Sequence, residues 1–180
     1  MPLGMFYQKL KEKGKYDQLK LGLVGVLLGR GSGKAALLFD CIANDSRASL
    51  ESAEVRALFD ALFHVSADAL PVLVKAQEAE SETPGQSLAS SKFTEYITNL
   101  KAGKDSLAER FTNLVMKGRG KVTQQDFVGA FGSDENLKAL ETPIAVRVAL
   151  KREALIVQSA AISKPALTLL GKGHLEGLKK

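Results

Sequence analysis

Apolar residues recur at helical spacing along nearly the whole chain, and no segment alternates with a period of two for long. Val55, Leu58, Phe59, Leu62 and Phe63 fall on one face of a helix; so do Phe93, Tyr96, Ile97 and Leu100, and again Leu107, Phe111 and Leu114. The pattern predicts an all-α fold assembled from helices of about 10 residues each. Cap residues punctuate it: Ser66 ahead of "ADALPVLVKAQEAE", Ser133 ahead of "DENLKAL", and Thr142 followed by Pro143 at a first helical position. The stretch from Glu80 to Ser91, "ESETPGQSLASS", mixes proline, glycine and serine and reads as a flexible connector. The organisation that follows is an N-terminal segment at 1–15, a first helical unit at 16–79, the connector at 80–91, a second unit at 92–141, and a basic helical tail at 142–180.

The two units repeat one arrangement. "KAALLFDCI", "ANDSRASLESAE" and "VRALFDALFHV" run helix, polar segment, helix, as do "DSLAERFTNL", "VMKGRGKVTQQD" and "FVGAFGSDENLKAL". A phenylalanine sits in each entering helix (Phe39, Phe111). One apolar residue interrupts each polar segment (Leu50, Val122), and an acid closes it four positions later (Glu54, Asp126). This grammar resembles an EF-hand pair of the calcineurin-B-like and neuronal-calcium-sensor-like kind, over roughly Tyr16 to Leu140. The resemblance implies paired helix-loop-helix units joined by a short two-stranded ladder between Leu50 and Val122, with an extra helical tail. It also implies a hydrophobic cleft that takes up an amphipathic helix, lined by Phe39, Leu58, Phe59, Leu62, Phe63, Phe111, Leu114, Phe127 and Phe131.

An EF-hand loop of about 12 residues supplies oxygen ligands at positions 1, 3, 5, 7, 9 and 12, with glycine at 6. Placing Leu50 and Val122 at position 8 sets the loops at Ala43 to Glu54 and Val115 to Asp126. The first keeps oxygen side chains at Asp45, Glu51 and Glu54, its weak candidates for a metal, but has Ala43 at position 1 and Arg47 at position 5. The second has Gly120 at position 6, yet Val115, Lys117 and Arg119 stand where ligands belong, and its cations outnumber its one acid, Asp126. A divalent cation is repelled from such a loop. No bound metal and no other cofactor is expected.

The stretch "LLGRGSGKAALLFD" from Leu27 to Asp40 has the outline of a phosphate-binding loop. A Walker A motif needs a glycine where Leu28 stands and a hydroxyl where Ala35 stands, so Gly33 and Lys34 alone do not make one. The expected role is a turn between helices, with Gly29 in a left-handed cap and Lys34 facing solvent.

Charge and composition narrow the function classes further. The 180 residues are 45% hydrophobic with a formal charge of +5, enough apolar content for a buried core and a basic balance that suits acidic protein surfaces, lipids or nucleic acid. The basic residues are dispersed and no aromatic platform accompanies them, so nucleic acid is not an expected partner. One cysteine, Cys41, excludes an internal disulfide and fits a reducing compartment. The opening residues lack a signal-peptide core, and the apolar run "LGLVGVLLG" is shorter than the roughly 20 residues that span a bilayer. His64, expected near a helix end, and His174 have no ligand or triad partners at the required spacing. The expectation is an intracellular, cytoplasmic or cytoskeletal protein that is not an enzyme: an adaptor or subunit of a larger assembly that grips a partner helix, its basic tail either filling its own cleft or meeting an acidic surface. The alternatives are a calcium-responsive sensor with one weak site in the first loop and, behind it, a P-loop-like nucleotide-binding protein acting through Gly33 and Lys34.

Overall fold

The computed structural model describes residues 8, 17–29, 32–43, 48–80 and 87–176, with side chains at 8, 17, 19–29, 32–43, 48–67 and 94–162. Among the described residues are eight α-helices, one 3-10 turn and two short strands. In chain order they are α1 (Gln18–Leu28), α2 (Lys34–Asp40), β1 (Ser49–Glu51), α3 (Ser52–Glu80), α4 (Ser87–Ala102), α5 (Lys104–Met116), β2 (Lys121–Thr123), α6 (Gln124–Ser133), α7 (Glu135–Lys138), the 3-10 turn (Ala139–Glu141) and α8 (Pro143–Glu176). The fold is mostly helical, as the apolar periodicity predicts, and no helix among the described residues is long and apolar enough to cross a membrane.

The strands pair antiparallel, with Leu50 opposite Val122, Ser49 opposite Thr123 and Glu51 opposite Lys121. Both central residues are fully buried, so the ladder is tied to the core by its apolar positions; a slip of one residue would turn both outward. The helix entering each strand packs against the helix leaving the other, α2 on α6 and α3 on α5. At that crossing Phe39, Phe127, Phe131, Phe59, Phe63 and Phe111 form one continuous run of ring contacts, with centroids 4.9 Å apart at Phe127 and Phe131 and 5.8 Å apart at Phe59 and Phe111. Helix α1 covers α2 and α3, and α8 lies on α3, α4 and α5.

Several helix limits differ from the sequence expectation. Ser66 does not open a helix but lies within α3, fully buried between Val65 and Ala67, where burial keeps the backbone helical. His64 likewise lies inside α3 rather than at a helix end. Helix α4 begins at Ser87, within the stretch expected to be a connector; 81–86 lie outside the described residues. Asp134, not Ser133, caps α7, its carboxylate accepting from the amides of Asn136 at 2.8 Å and Leu137 at 3.2 Å, while Ser133 ends α6. Thr142 caps α8 as expected, its hydroxyl accepting from Ala145 N at 3.2 Å. The first turns of α8 belong to the core, because Val146, Leu150 and Ala154 are buried. Side chains beyond 162 lie outside the description.

Helix α5 ends on Lys117 at φ 48°, followed by Gly118 at φ 75°. A lysine in the left-handed region carries a Cβ penalty of roughly 1–2 kcal/mol that glycine avoids. Lys117→Gly should therefore stabilise the fold by about 1 kcal/mol, read as a rise in urea midpoint with unchanged slope.

Candidate functional site

The two loops lie side by side across the ladder, and the acids among their described residues are already engaged. Glu54 stands at the third position of α3, where its Oε2 accepts from the backbone N–H of Glu51, the residue capping that helix, at 2.9 Å. Asp126 takes the same position in α6: its Oδ2 accepts from the Thr123 amide at 3.1 Å, while the Thr123 hydroxyl accepts from the Asp126 amide at 3.2 Å. Each acid thus satisfies the amide of the residue that caps the helix it stands in. Glu51 faces Lys121 across the strands at 3.2 Å, and Asp45 lies outside the described residues.

In the second loop the remaining oxygen of Asp126 accepts from the Arg119 guanidinium. The Thr123 amide and hydroxyl and the Arg119 guanidinium hold the Asp126 carboxyl below its ordinary range. With the folded pKa below the unfolded one, Asp126 contributes stability above about pH 4 and loses it as pH falls through the folded value. Asp126→Asn should therefore narrow the gap between unfolding temperatures measured at pH 7 and pH 3.

The second loop, as described, does not fit a bound divalent cation. Val115, at the first ligand position of the second loop, is buried in the core with Met116. Arg119, at the fifth, is the cation that Asp126 meets. The left-handed turn is made by Lys117 and Gly118, so Gly120 does not make the turn expected of it. Ala43, at the first position of the other loop, is a half-buried apolar residue against the core. Gln124 Nε2 donates to Asp40 Oδ1 at 2.7 Å, joining the second loop, at the start of α6, to the end of α2.

No protein-family model, no curated protein and no solved structure matches the chain.

The apolar residues expected to line an open cleft are core. Phe39, Leu58, Phe59, Leu62, Phe63, Phe111, Phe127 and Phe131 are buried, and Leu114 is half-buried. Their cover comes from this chain: Val146 and Leu150 of α8, Leu100 of α4, and Leu23, Val24 and Leu27 of α1 belong to the same core. An amphipathic partner helix would have to displace one of those elements to reach them. A groove of about 520 Å³ does open along α5, lined by Ser106, Glu109, Arg110, Asn113, Leu114 and Lys117, none of which is among the nine expected cleft residues except Leu114.

Lys34 is the largest departure from the sequence expectation. Its side chain is buried rather than solvent-facing, and Nζ donates to the carbonyl oxygens of Leu27 at 3.2 Å and Glu141 at 2.8 Å. It caps the last turn of α1 and the end of the 3-10 turn together, so it cannot serve a phosphate. The left-handed residue that makes this possible is Gly33, at φ 80°, while Gly29 is extended at φ −62°, ψ 150°. Lys34→Met keeps the aliphatic stem and strips both carbonyls of a donor. A loss of about 2 kcal/mol is expected, measured as a drop in chemical-denaturation midpoint.

Cys41 is half-buried, and burial followed by the Asp40 charge pushes its thiol above the ordinary range, away from the reactive thiolate. The pairings that a residue-by-residue reading passes over are those of Arg119 and Lys34: Arg119 meets Asp126 across a short strand, and one of the two carbonyls that Lys34 reaches lies 107 positions away.

Proposed function

We propose that this chain is an EF-hand-like protein whose loops have given up calcium, and that it serves as a non-catalytic adaptor or structural subunit of a larger protein assembly. The observation that carries the reading is the commitment of both loop-closing acids, Glu54 and Asp126, to the cap amide of the helix each stands in, with Arg119 supplying the second loop's positive charge. The crosswise packing of α2 on α6 and α3 on α5 around the Leu50 and Val122 pair supports the paired-hand architecture. Loops closed by built-in groups have no ion to gain or lose, so the helices keep one pose. A fixed pose suits a permanent attachment platform better than a switch. The helix-binding cleft of such a pair is here filled by the chain's own helices, and attachment of a partner falls to the outer surface.

Calorimetric titration of the full chain with calcium should give no binding tighter than about 10⁻⁴ M, and a tagged chain recovered from its native source should carry a stoichiometric protein partner. Tighter calcium binding, accompanied by newly exposed apolar surface, would instead establish a sensor with its site in the first loop.

A further inference from the structure

We propose that the outer face of α8 is a docking seam for a partner's amphipathic helix whose apolar stripe is flanked by carboxylates. The inner face of α8 is fully used: Val146, Leu150 and Ala154 are buried, and Glu153 is held by Ser106 Oγ at 2.6 Å and Arg110 at 2.9 Å. At 3.6 residues per turn the opposite face carries Ile144, Val148, Leu155 and Ile162, which are 68%, 45%, 56% and 76% exposed, with Ile156, 57% exposed, beyond Arg152 to one side. Val148, Leu155 and Ile162 recur every seven residues, and Ile144 stands four before the first of them. That spacing is the one two helices share when they wind around each other.

The flanks of this seam select the occupant. Lys151 and Arg152 are both exposed and lie on its two sides, whereas Glu153, the acid beside them in sequence, is turned inward and paired. Two cations on an apolar seam, with no acid left to balance them, call for carboxylates on the incoming helix. A second copy of this chain answers poorly. In parallel register it sets Lys151 and Arg152 against themselves, and in antiparallel register about Leu155 it offers them only Ser159 and Gln158. A lipid surface wants a broad apolar face with cations only at its margin, whereas around α8 Arg152 stands between Leu155 and Ile156 and divides the exposed apolar positions.

The inference rests on the adaptor reading, and the test separates the two. Two synthetic helical peptides with leucine at heptad positions, one flanked by glutamate and one by lysine, are titrated against the labelled full chain by fluorescence anisotropy. The glutamate peptide should bind at least about tenfold tighter, a Lys151→Glu, Arg152→Glu variant should invert that order, and a Val148→Asp, Leu155→Asp variant should bind neither while unfolding at an unchanged temperature. Equal or absent binding of the two peptides overturns the seam. So does dimerisation in sedimentation that Leu155→Asp abolishes, or binding to vesicles of anionic lipid that exceeds binding to the peptide. A native partner recovered equally by the wild type and the Val148→Asp, Leu155→Asp variant sinks the seam and leaves the adaptor standing; no stoichiometric partner with either sinks the adaptor.

Discussion

Phe59→Ala should lower the stability of the chain by about 3–5 kcal/mol, a fall in unfolding temperature of about 10 °C or more. Phe59 is fully buried and touches rings from both units, with centroids 6.1 Å from Phe63, 5.8 Å from Phe111 and 6.4 Å from Phe131. Truncation removes the apolar area of one ring and opens a cavity that three further rings border. Neither α3 nor α5 can close over it without shifting the ladder. Thermal unfolding by circular dichroism and a urea titration of unchanged slope would measure the loss. An aromatic residue lining an open cleft behaves differently: its alanine variant costs binding and leaves stability within roughly 0.5 kcal/mol. Leu37→Ala, at an exposed position of α2, provides the matching surface control.

That contrast marks where sequence reasoning stops. The stripe of Val55, Leu58, Phe59, Leu62 and Phe63 is legible because helical spacing alone puts these residues on one face. What covers the face is not legible, because the cover comes from α1, α4 and α8, each distant in sequence. The Leu50 and Val122 register, in contrast, follows from local chemistry. A lone apolar residue in a polar segment has to turn inward, and an acid four positions later lands at the third residue of the next helix, where it can satisfy the amide of the cap. Two such segments with the same spacing pair in the one register that buries both apolar residues.

Helix limits show the same division between local and distant causes. Thr142 with Pro143 and Thr123 with Asp126 act as caps because the backbone at each threonine is itself extended. Ser66 has the side chain of a cap but sits in a face already buried against the core, and packing overrides its preference. In the candidate site, Arg119 looks only hostile to a metal when loop positions are counted one at a time. Seen with Asp126 it is the charge that lets the loop close without one.

Gly103→Val should detach α8 from the rest of the molecule, at a cost of about 3 kcal/mol. Gly103 lies between α4 and α5 at φ −90°, a conformation open to any residue, so space rather than backbone freedom demands the glycine. A Cβ there would fall 2.6 Å from Ala154 N and 2.8 Å from Leu150 O, both backbone atoms of α8 that cannot swing aside. Helix α8 would have to lift, drawing Leu150 out of the core and Glu153 away from Ser106 and Arg110. Hydrogen exchange should then speed across Val146 to Ala154, while α5, α6 and the ladder keep their protection because their packing on α2 and α3 does not pass through α8. Loss of protection throughout the chain would instead mean that α8 is part of the cooperative core shared by both units. In either outcome the seam on its outer face depends on this contact, since Val148 and Leu155 are presented outward only while Leu150 and Glu153 are held inward.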